Sequence, residues 1–482
     1  MKNYYVVCFV IMTLAFHAQT ITVVDKTSRE AIAGAVIQNL TKNTAQFTNA
    51  KGKVMPENLS PGDSLKINYF GYKEKVLVYS GETNLKIDLL EQNIRLDEII
   101  VSASRWEKHE KENAVRVEKI KMKDVALQNP QTAADMLGGN SNVYIQKSQQ
   151  AGGSPILRGF ATNRVLLVVD GVRMNNAIFR SGNVQNVISL DANAMESAEV
   201  LFGPGAVLYG SDAIGGVMDF HTLKPLLSDS SKPLIKANAL LRYSTANQEK
   251  TGHADFSIGF KKLGFVSSVS YSQFDDLMAG TVGGDSAYLR PYYQIVRADK
   301  DTQVVNKNPS LQINSGYSQL NLMQKIMFAP NSKLKLTYAF HYSESSNAPR
   351  YDRLIADANN DKRLDFSEWY YGPQTWQMHH LNIRHKGNGL LYNNMKIQAA
   401  SQQFGESRHD RRFNATGSST SSAARLRHQY EKLNASSMNA DFDKLIGENT
   451  ELFYGAEYVH NQVFSNANRV NVYTGTDRKS VV

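Results

Sequence analysis

Cysteine is almost absent from this sequence, since Cys8 is the only one in 482 residues. One thiol cannot form an intramolecular disulfide, and a zinc site built on several thiolates is excluded too. The GxSxG and HExxH signatures of two hydrolase classes are also missing. We therefore do not expect an enzyme.

Long apolar runs are missing as well. The run from Tyr4 to Phe16 is shorter than the roughly 20 residues that a membrane-spanning helix needs. It follows Lys2 and precedes Ala18, which is typical of a secretory signal peptide over residues 1–18. The sequence thus predicts an exported protein that is not a helical membrane protein.

Charge of one sign is not concentrated anywhere in the chain. Lys and Arg number 54 against 45 Asp and Glu, which gives a mild net charge of +9. Because no basic block or basic-aromatic patch occurs, we expect no nucleic-acid partner.

Residues 20–92 are rich in short β-prone runs. Runs such as ITVVD, GAVIQNL and SLKINYFGY alternate with turn-forming residues, which predicts a small β-sandwich. The segment resembles the carboxypeptidase regulatory-like domains at the front of many Bacteroidetes outer-membrane proteins. It contains neither His nor Cys, so we expect no catalytic zinc there.

Residues 106–223 have the pattern of a compact α/β region. Apolar stretches such as VLLVVD predict buried strands, and Gly-rich turns lie between them. Asn129-Pro130 is expected to start a helix, which Ala133 to Leu137 continue and Gly138-Gly139 end.

Residues 224–476 alternate with a period of two. In LIKANALLRYST, Ile235, Leu241 and Tyr243 share one face, while Lys236 and Arg242 share the other. The links between such segments alternate between short (261–264, 330–332, 387–389, 445–450) and long (274–315, 343–376, 403–428). This pattern predicts the wall of a transmembrane β-barrel, with its apolar face toward lipid and its polar face toward the lumen.

Four motifs in a fixed order carry a family resemblance. DEIIVSASR, TAADMLGG, LRGFATNRVLLVVDGVRMNN and VLFGPGAVLYGSDAIGGVMDF resemble the TonB box and plug of TonB-dependent outer-membrane receptors. The resemblance implies a mainly β chain: an N-terminal β-sandwich, a small α/β plug domain and the first part of a transmembrane antiparallel β-barrel. The stretch YDRL…EWYYGPQ is similar to haem and siderophore members.

The TonB box corresponds to residues 97–105. By resemblance, its contacts with the periplasmic carboxyl-terminal domain of TonB are Asp97, Glu98, Ile99, Ile100, Val101 and Ser102. A β-prone segment without a local partner can be captured by the sheet edge of another protein. An ordinary interdomain linker is the alternative.

The resemblance also implies structural roles for a set of plug residues. They are Arg158, Gly159, Phe160, Arg164, Asp170, Gly171, Gly203, Pro204, Tyr209, Gly210, Gly215 and Gly216. We expect the glycines to permit tight turns and close backbone approach. Arg158 and Arg164 are expected to lie in an enclosed space, where each needs a carboxylate partner.

Two segments are candidate ligand elements. In the expected apical loop of the plug, Asn175, Asn176, Phe179 and Arg180 are candidate ligand contacts, with loop packing as the alternative. In DANNDKRLDFSE, the EF-hand ligand positions hold Asp357, Asn359, Asp361, Arg363 (through its carbonyl), Asp365 and Glu368. Calcium in an external loop is therefore one hypothesis, and a solvated acidic loop is the other; no cofactor is otherwise required.

Two features predict that the chain is a fragment. We expect about nine barrel strands, whereas this family closes its barrel with roughly 22, and an open edge is not tolerated in hydrocarbon. A common sequencing-adapter stretch translates into the last six residues, Asp477 to Val482, which predicts an artefact over 477–482.

The function implied by the resemblance is TonB-dependent active import of a scarce solute, a ferric siderophore or haem. The barrel is expected in the lipid of the outer membrane, with the N-terminal domain in the periplasm. A SusC-type glycan importer and a passive surface binding protein or adhesin are the alternatives.

Overall fold

The computed structural model describes most of the chain in two compact units, one up to Glu98 and one from Ile99 onward. The described residues are 19–69, 72–90, 99–100, 106, 108–109, 116–139, 142–161, 164–174, 178, 187–203, 205–280, 282, 289–297, 300–447 and 450–479. The expected signal peptide, residues 1–18, lies outside them. Within these ranges, helices are all too short or too polar to cross a membrane.

The first unit consists of two small sheets that share one core. Its strands are β1 (Thr20–Asp25), β2 (Val36–Asn39), β3 (Thr44–Phe47), β4 (Lys53–Val54), β5 (Ser64–Asn68), β6 (Lys75–Val78) and β7 (Asn84–Leu89). The sheets have the orders β4-β1-β7 and β3-β2-β5-β6. Alternate residues such as Ile21, Val23, Ile67 and Ile87 point into the common core. Two sheets on one core are what the alternating runs predict.

The second unit begins with a short hairpin and an α/β region, which we name the plug. Its elements are β8 (Ile99–Ile100), β9 (Lys108–His109), β10 (Val117–Lys121), α1 (Met122–Val125), α2 (Ala133–Gly138), β11 (Tyr144–Gln146), β12 (Ser154–Ile156), β13 (Val165–Val169), β14 (Val172–Arg173), β15 (Met195–Phe202), α3 (Ala206–Tyr209) and β16 (Gly216–Thr222). The main sheet has the order β10-β15-β16-β13-β14. The five residues of β13 are all buried, as the run VLLVV predicts.

The predicted helix of the plug is present, but it starts later than the sequence suggested. Thr132 is its N-cap and forms a capping box with Asp135. Asn129 lies in a left-handed conformation before it, so the Asn-Pro pair ends the preceding turn. The cap, and not Pro130, sets the start of α2.

The remaining strands build one large antiparallel sheet, which we name the wall. Its long strands in the described residues are β17 (Leu234–Ser244), β18 (Glu249–Gly259), β19 (Leu263–Phe274), β24 (Tyr317–Phe328), β25 (Leu334–Ser345), β28 (Thr375–Lys386), β29 (Asn394–Arg412), β30 (Arg425–Ile446) and β31 (Thr450–Asn471), followed by β32 (Asp477–Lys479). Each pairs with the next in chain order, and the described sheet does not close on itself. Nine long strands agree with the expected number.

The connectors at one end of the wall carry secondary structure of their own. These elements are β20 (Leu277–Met278), β21 (Tyr292–Val296), β22 (Asp301–Val305), β23 (Leu311–Gln312), β26 (Ala348–Pro349), α4 (Tyr351–Leu354) and β27 (Phe366–Tyr371). Two of the three predicted long connectors lie at this end, over 275–316 and 346–374, together with one tight turn at 245–248.

The prediction of a long connector over 403–428 is wrong, because only residues 413–424 connect β29 to β30. Most of that stretch extends β29 and β30, whose ladder continues to the pair Asp410 and Arg427. Opposite charges face each other there, with 2.6 Å between Arg427 Nη2 and Asp410 Oδ1. Cross-strand ion pairs of this kind let polar residues form a strand, so polarity alone did not reveal the extension.

The two faces of the wall have the polarity predicted for a barrel. In β18, Glu249, Thr251 and His253 are buried, whereas Phe256 is 44% exposed. In the neighbouring β17, Leu241 is 91% exposed. A soluble sheet would bury the apolar face instead, so the plug side of this wall is polar.

The tightest backbone approach in the plug generates a stability prediction. A Cβ added to Gly216, whose φ is +149°, would lie 2.5 Å from the carbonyl oxygen of Leu201 on β15. Gly216→Ala is expected to lower the free energy of unfolding by about 1–3 kcal/mol, because the backbone is strained and the neighbour is not a flexible side chain. Urea unfolding in detergent measures this. Gly389→Ala is the control, since a Cβ there meets nothing within 4 Å; equal effects of both changes would contradict the prediction.

Candidate functional site

A tight turn between β13 and β14 brings the plug to the wall. Asp170 and Gly171 have φ values of 51° and 86°, which suits a two-residue hairpin turn of the Asp-Gly kind. A Cβ at Gly171 would lie 2.9 Å from Nε2 of Gln398 on β29. Glycine is therefore required both by the turn and by the close approach to the wall.

The Asp170 carboxylate lies at the centre of a buried polar cluster. Its Oδ2 lies 2.8 Å from Nζ of Lys325 on β24 and 3.5 Å from Nε2 of His341 on β25. Within the plug, Thr222 donates its backbone N–H to Oδ1 (3.0 Å) and its hydroxyl to Oδ2 (2.7 Å). Burial alone would raise the pKa of Asp170, but the Lys325 ammonium and His341 outweigh it and hold the pKa well below its usual value.

Wall side chains also bind the backbone of the same hairpin. Gln398 Nε2 donates to the carbonyl oxygen of Asp170 (3.0 Å), and Gln402 Nε2 donates to that of Arg173 (2.8 Å). Both glutamines lie on β29 and are buried on its plug-facing side. The hairpin is thus held by its backbone as well as by its charge.

Arg173 forms a second charged contact between plug and wall. Its Nε lies 2.7 Å from Oε1 of Glu457 on β31, and its Nη2 donates to Oε2 at 3.0 Å. The same guanidinium donates to the carbonyl oxygen of Tyr209 at the end of α3. A planar guanidinium that holds a carboxylate at two points fixes its orientation as well as its position.

Two further contacts join the plug to the first strands of the wall. Gln131 Nε2 donates to Oε2 of Glu249 (2.6 Å), which also pairs with Arg242. On β19, the Ser270 hydroxyl donates to Oδ2 of Asp191 (2.6 Å). These contacts are hydrogen bonds or ion pairs, and they lie beside apolar packing of Trp376 and Met378 on β28 against the plug.

A separate cluster of acids lies inside the plug sheet. Glu199 and Asp219 are register partners on β15 and β16, and His221 Nε2 lies 3.3 Å from Oε1 of Glu199. Both carboxylates are at most 1% exposed. Burial raises the pKa of Asp219 to about 6, although His221 acts in the opposite direction.

The two plug arginines singled out from the sequence are not in an enclosed space. Arg158 and Arg164 are both exposed, and neither has an ion-pair partner among the described residues. The guanidinium of Arg158 lies 5.4 Å from the centroid of the Phe202 ring. The expectation of an enclosed space is wrong for both arginines, and exposure to water removes the need for a counter-ion.

The other predicted plug residues have varied positions. Tyr209 is buried, whereas Phe160 is 37% exposed. Left-handed φ values occur at Gly159, Gly203, Gly210 and Gly216. A Cβ at Gly215 would lie 2.3 Å from Cβ of Phe160. Close approach therefore explains Gly215 and Gly216, and Pro204 lies outside the described residues.

Two ligand or partner hypotheses fall largely on residues that are not described. Asn175, Asn176, Phe179 and Arg180 lie outside the described residues. So do Asp97, Glu98, Val101 and Ser102. Ile99–Ile100 does have a local partner, because it pairs antiparallel with Lys108–His109. The expectation of an unpaired strand is therefore wrong for these two residues.

Three carboxylates of the predicted calcium loop accept hydrogen bonds from backbone groups of the same loop. Asp357 accepts the backbone N–H groups of Asp361 and Lys362, Asp361 accepts that of Arg363, and Asp365 accepts that of Ala358. Glu368 lies 2.6 Å from Nε of Arg411. The residue Asn359 is exposed. Within the described ranges, three or more acidic or histidine side chains are nowhere arranged to hold a metal.

The contact between Asp170 and Lys325 generates the second prediction. Asp170→Asn would leave the buried Lys325 ammonium without its counter-ion, and we expect a loss of about 3–5 kcal/mol in the free energy of unfolding. Urea unfolding can be followed by the fluorescence of Trp376, which is buried in the core shared by plug and wall. The charge contributes above the unfolded pKa of Asp and is lost as pH falls through the depressed folded pKa.

The control for this change is Asp352→Asn, because the pair of Asp352 with Arg350 is partly exposed. It should lower stability by less than about 1 kcal/mol. Adding Lys325→Met to Asp170→Asn should restore part of the loss, since no unpaired charge then remains. Wild-type stability of Asp170→Asn alone would show that the ion pair does not hold the plug.

The raised pKa of Asp219 generates the third prediction, in which replacing a buried carboxylate stabilises the fold, whereas replacing Asp170 destabilises it. Above pH 6 the folded chain holds a buried charge that the unfolded chain holds in water, so Asp219→Asn should raise stability at pH 7.5 by about 1–3 kcal/mol. The gain should shrink between pH 6 and pH 4, where Asp219 becomes protonated in the folded state. Urea unfolding at each pH is the measurement. Glu196→Gln, on the neighbouring strand β15 with a half-exposed side chain, is the control; a loss of stability at pH 7.5 in Asp219→Asn would contradict the prediction.

Comparisons with known proteins agree with this architecture. Residues 109–217 match the family model described as TonB-dependent Receptor Plug Domain. The chain is 32% identical over 137 residues to "Vitamin B12 transporter BtuB" of Vibrio vulnificus, which covers 28% of this chain and 22% of that protein. It is 28% identical over 169 residues to "Hemin receptor" of Yersinia pestis, with 35% and 24% covered. The chain thus spans about a quarter or less of the length of these relatives.

A solved structure extends the comparison to the wall. "Copper transporter OprC" has a TM-score of 0.55 and 13% identity, and the match covers 75% of this chain and 48% of that one. At this identity the match shows the fold only. The named relatives are transporters and receptors, in agreement with the expectation that the chain is not an enzyme. Residues 109–217 are thus similar to the plug domain of TonB-dependent receptors, and they lie against a wall of antiparallel strands.

Proposed function

We propose that the chain takes part in TonB-dependent import of a ferric siderophore or haem across the outer membrane. The observation that carries the proposal is the set of polar contacts between the plug and the wall, centred on Asp170 and Lys325. Hydrogen bonds and ion pairs can be replaced by bonds to water, whereas exposed apolar surface has no such substitute. The polar part of this contact can be exchanged for water in a wet lumen, whereas the apolar packing of Trp376 and Met378 against the plug must be separated by force.

In this proposal the force enters through the TonB box at residues 97–102. The outer membrane has no nucleotide supply, so work must arrive through a mechanical connection to TonB in the periplasm. Capture of a strand by the sheet edge of TonB uses backbone groups. Since Ile99–Ile100 already pairs with Lys108–His109, capture exchanges one backbone partner for another.

The substrate class rests on two kinds of support. Iron chelates and haem are large and dilute, so passive pores do not deliver them fast enough. A vitamin B12 transporter and a haemin receptor are among the similar proteins, and both names denote large metal-containing ligands. The specific ligand is chosen by loops and by the plug apex, where Asn175, Asn176, Phe179 and Arg180 remain the candidate contacts.

Uptake in cells tests the proposal. In a host that lacks its own receptors, we expect import of labelled ferric siderophore or haem that disappears when TonB is deleted. Ile100→Pro should reduce uptake to that TonB-free level, because proline has no backbone N–H to offer a partner strand. Ile100→Val is the matched control and should import normally, because it keeps the backbone donor and the preference for a strand. Normal import by Ile100→Pro, or by a chain without residues 97–102, would identify a passive binding protein instead, and import of glycans alone would favour the SusC-type alternative.

A further inference from the structure

Two histidines meet at the long-connector end of the wall. His409 on β29 and His428 on β30 are direct register partners in the antiparallel ladder. Their Nδ1 atoms are 2.7 Å apart, and the ring planes are inclined by 70°. Two ring nitrogens at this distance share at most one proton, because two N–H groups cannot point at each other.

A hydroxyl group orients the ring of His409. Its Nε2 lies 2.9 Å from Oγ of Ser407, two residues earlier on the same face of β29. In the tautomer in which Nε2–H donates to Ser407, the Nδ1 lone pair of His409 points toward His428. A hydrogen bond to the distal ring nitrogen is the usual way in which a metal-binding histidine is held.

The distance between the two nitrogens suits one coordination geometry better than another. Imidazole nitrogens bind first-row metals at about 2.0 Å, so two nitrogens on adjacent corners of a square lie about 2.8 Å apart. At a tetrahedral angle the same bonds place the nitrogens about 3.3 Å apart. The observed 2.7 Å is close to the square value. Tetragonal sites with nitrogen ligands are typical of Cu²⁺ and Ni²⁺.

The surroundings of the pair are aromatic and carry excess negative charge. The ring of Tyr370 stacks on His409 with 4.6 Å between centroids, and that of Tyr430 lies 5.5 Å away. Two residues beyond His409, the Arg411 guanidinium pairs with two carboxylates, Asp301 and Glu368. One cation against two anions leaves a net negative charge beside the histidines, which favours a bound cation.

The pair is also accessible. His409 is 5% exposed, but its partner His428 is only half-buried, so the pair can be reached from the side of His428. By contrast, His379 on β28 has no second histidine at its Nδ1, which lies 2.8 Å from the hydroxyl of Tyr338. His409 and His428 therefore differ from His379 in being opposite each other in the register of two neighbouring strands.

We propose that His409 and His428 bind one divalent transition-metal ion of the copper type through their two Nδ1 atoms. The ion replaces the shared proton but lies off the line between the two nitrogens, about 2.0 Å from each, and water fills the remaining positions. Ser407 is a positioning residue that selects the tautomer of His409. This site is independent of the plug and of the proposed import, and its nitrogen donors suit a softer ion than the calcium considered for residues 357–368.

Titration of the full chain in detergent micelles with Cu²⁺ tests the proposal. Electron paramagnetic resonance of the first equivalent should show a tetragonal Cu²⁺ centre with two coordinated imidazole nitrogens. Competition with glycine as a soluble chelator gives the affinity. His428→Ala and His409→Ala should each weaken binding by about 10-fold or more and leave one nitrogen in the spectrum, and Ser407→Ala should weaken binding by about 10-fold while both nitrogens remain.

His379→Ala is the matched control, because it removes a wall histidine that has no histidine partner. It should leave affinity and spectrum unchanged. His428 is only half-buried, so its replacement should not prevent folding, and heat-modifiable gel mobility checks this. The proposal is overturned if the first equivalent of Cu²⁺ shows no two-nitrogen signal, or if His428→Ala in folded protein binds Cu²⁺ as the wild type does.

Discussion

The polar side of the wall determines which side chains the plug can place against it. Because the apolar side chains of β17 and β18 point away from the plug, residues such as Glu249 and His253 line the side that faces it. A buried polar group must be hydrogen-bonded or it destabilises the fold. The plug therefore had to present polar partners at matching positions, and Asp170, Arg173, Gln131 and Asp191 are those partners.

The same constraint explains why charge is arranged so differently in the two parts of the plug. At the turn, Asp170 has a cation on the wall and a depressed pKa, so it holds the plug in place as long as it is ionised. In the sheet, Asp219 faces Glu199 and has a raised pKa, so its ionised form weakens the fold. One carboxylate joins the plug to the wall, and the other keeps the plug sheet less stable than it would be with a neutral residue.

Local patterns in the sequence were enough to predict the strands, but they did not predict which side chains of the plug and the wall contact each other. The two-residue period identified the outward face of β17, and the turn residues identified most connectors. Alternation reports which face a residue lies on but not which residue of a distant strand lies opposite. Lys325 was therefore not foreseen as the partner of Asp170, nor Glu457 as that of Arg173. The prediction that Arg158 and Arg164 are enclosed was wrong for a related reason, because a sequence motif does not show whether its residues are buried.

The order of the plug sheet bears on how the proposed pull would act. The segment proposed as the TonB box precedes β10 in the sequence, and β10 is the edge strand of the sheet β10-β15-β16-β13-β14. A load applied upstream of β10 reaches its five register pairs with β15 before it reaches β13 and the turn at Asp170. An edge strand can separate one pair at a time, whereas the hairpin of β13 and β14 is held by several wall contacts at once. Partial unfolding from the β10 edge, with the hairpin still bound to the wall, is therefore the easier way to open a path than expulsion of the whole plug.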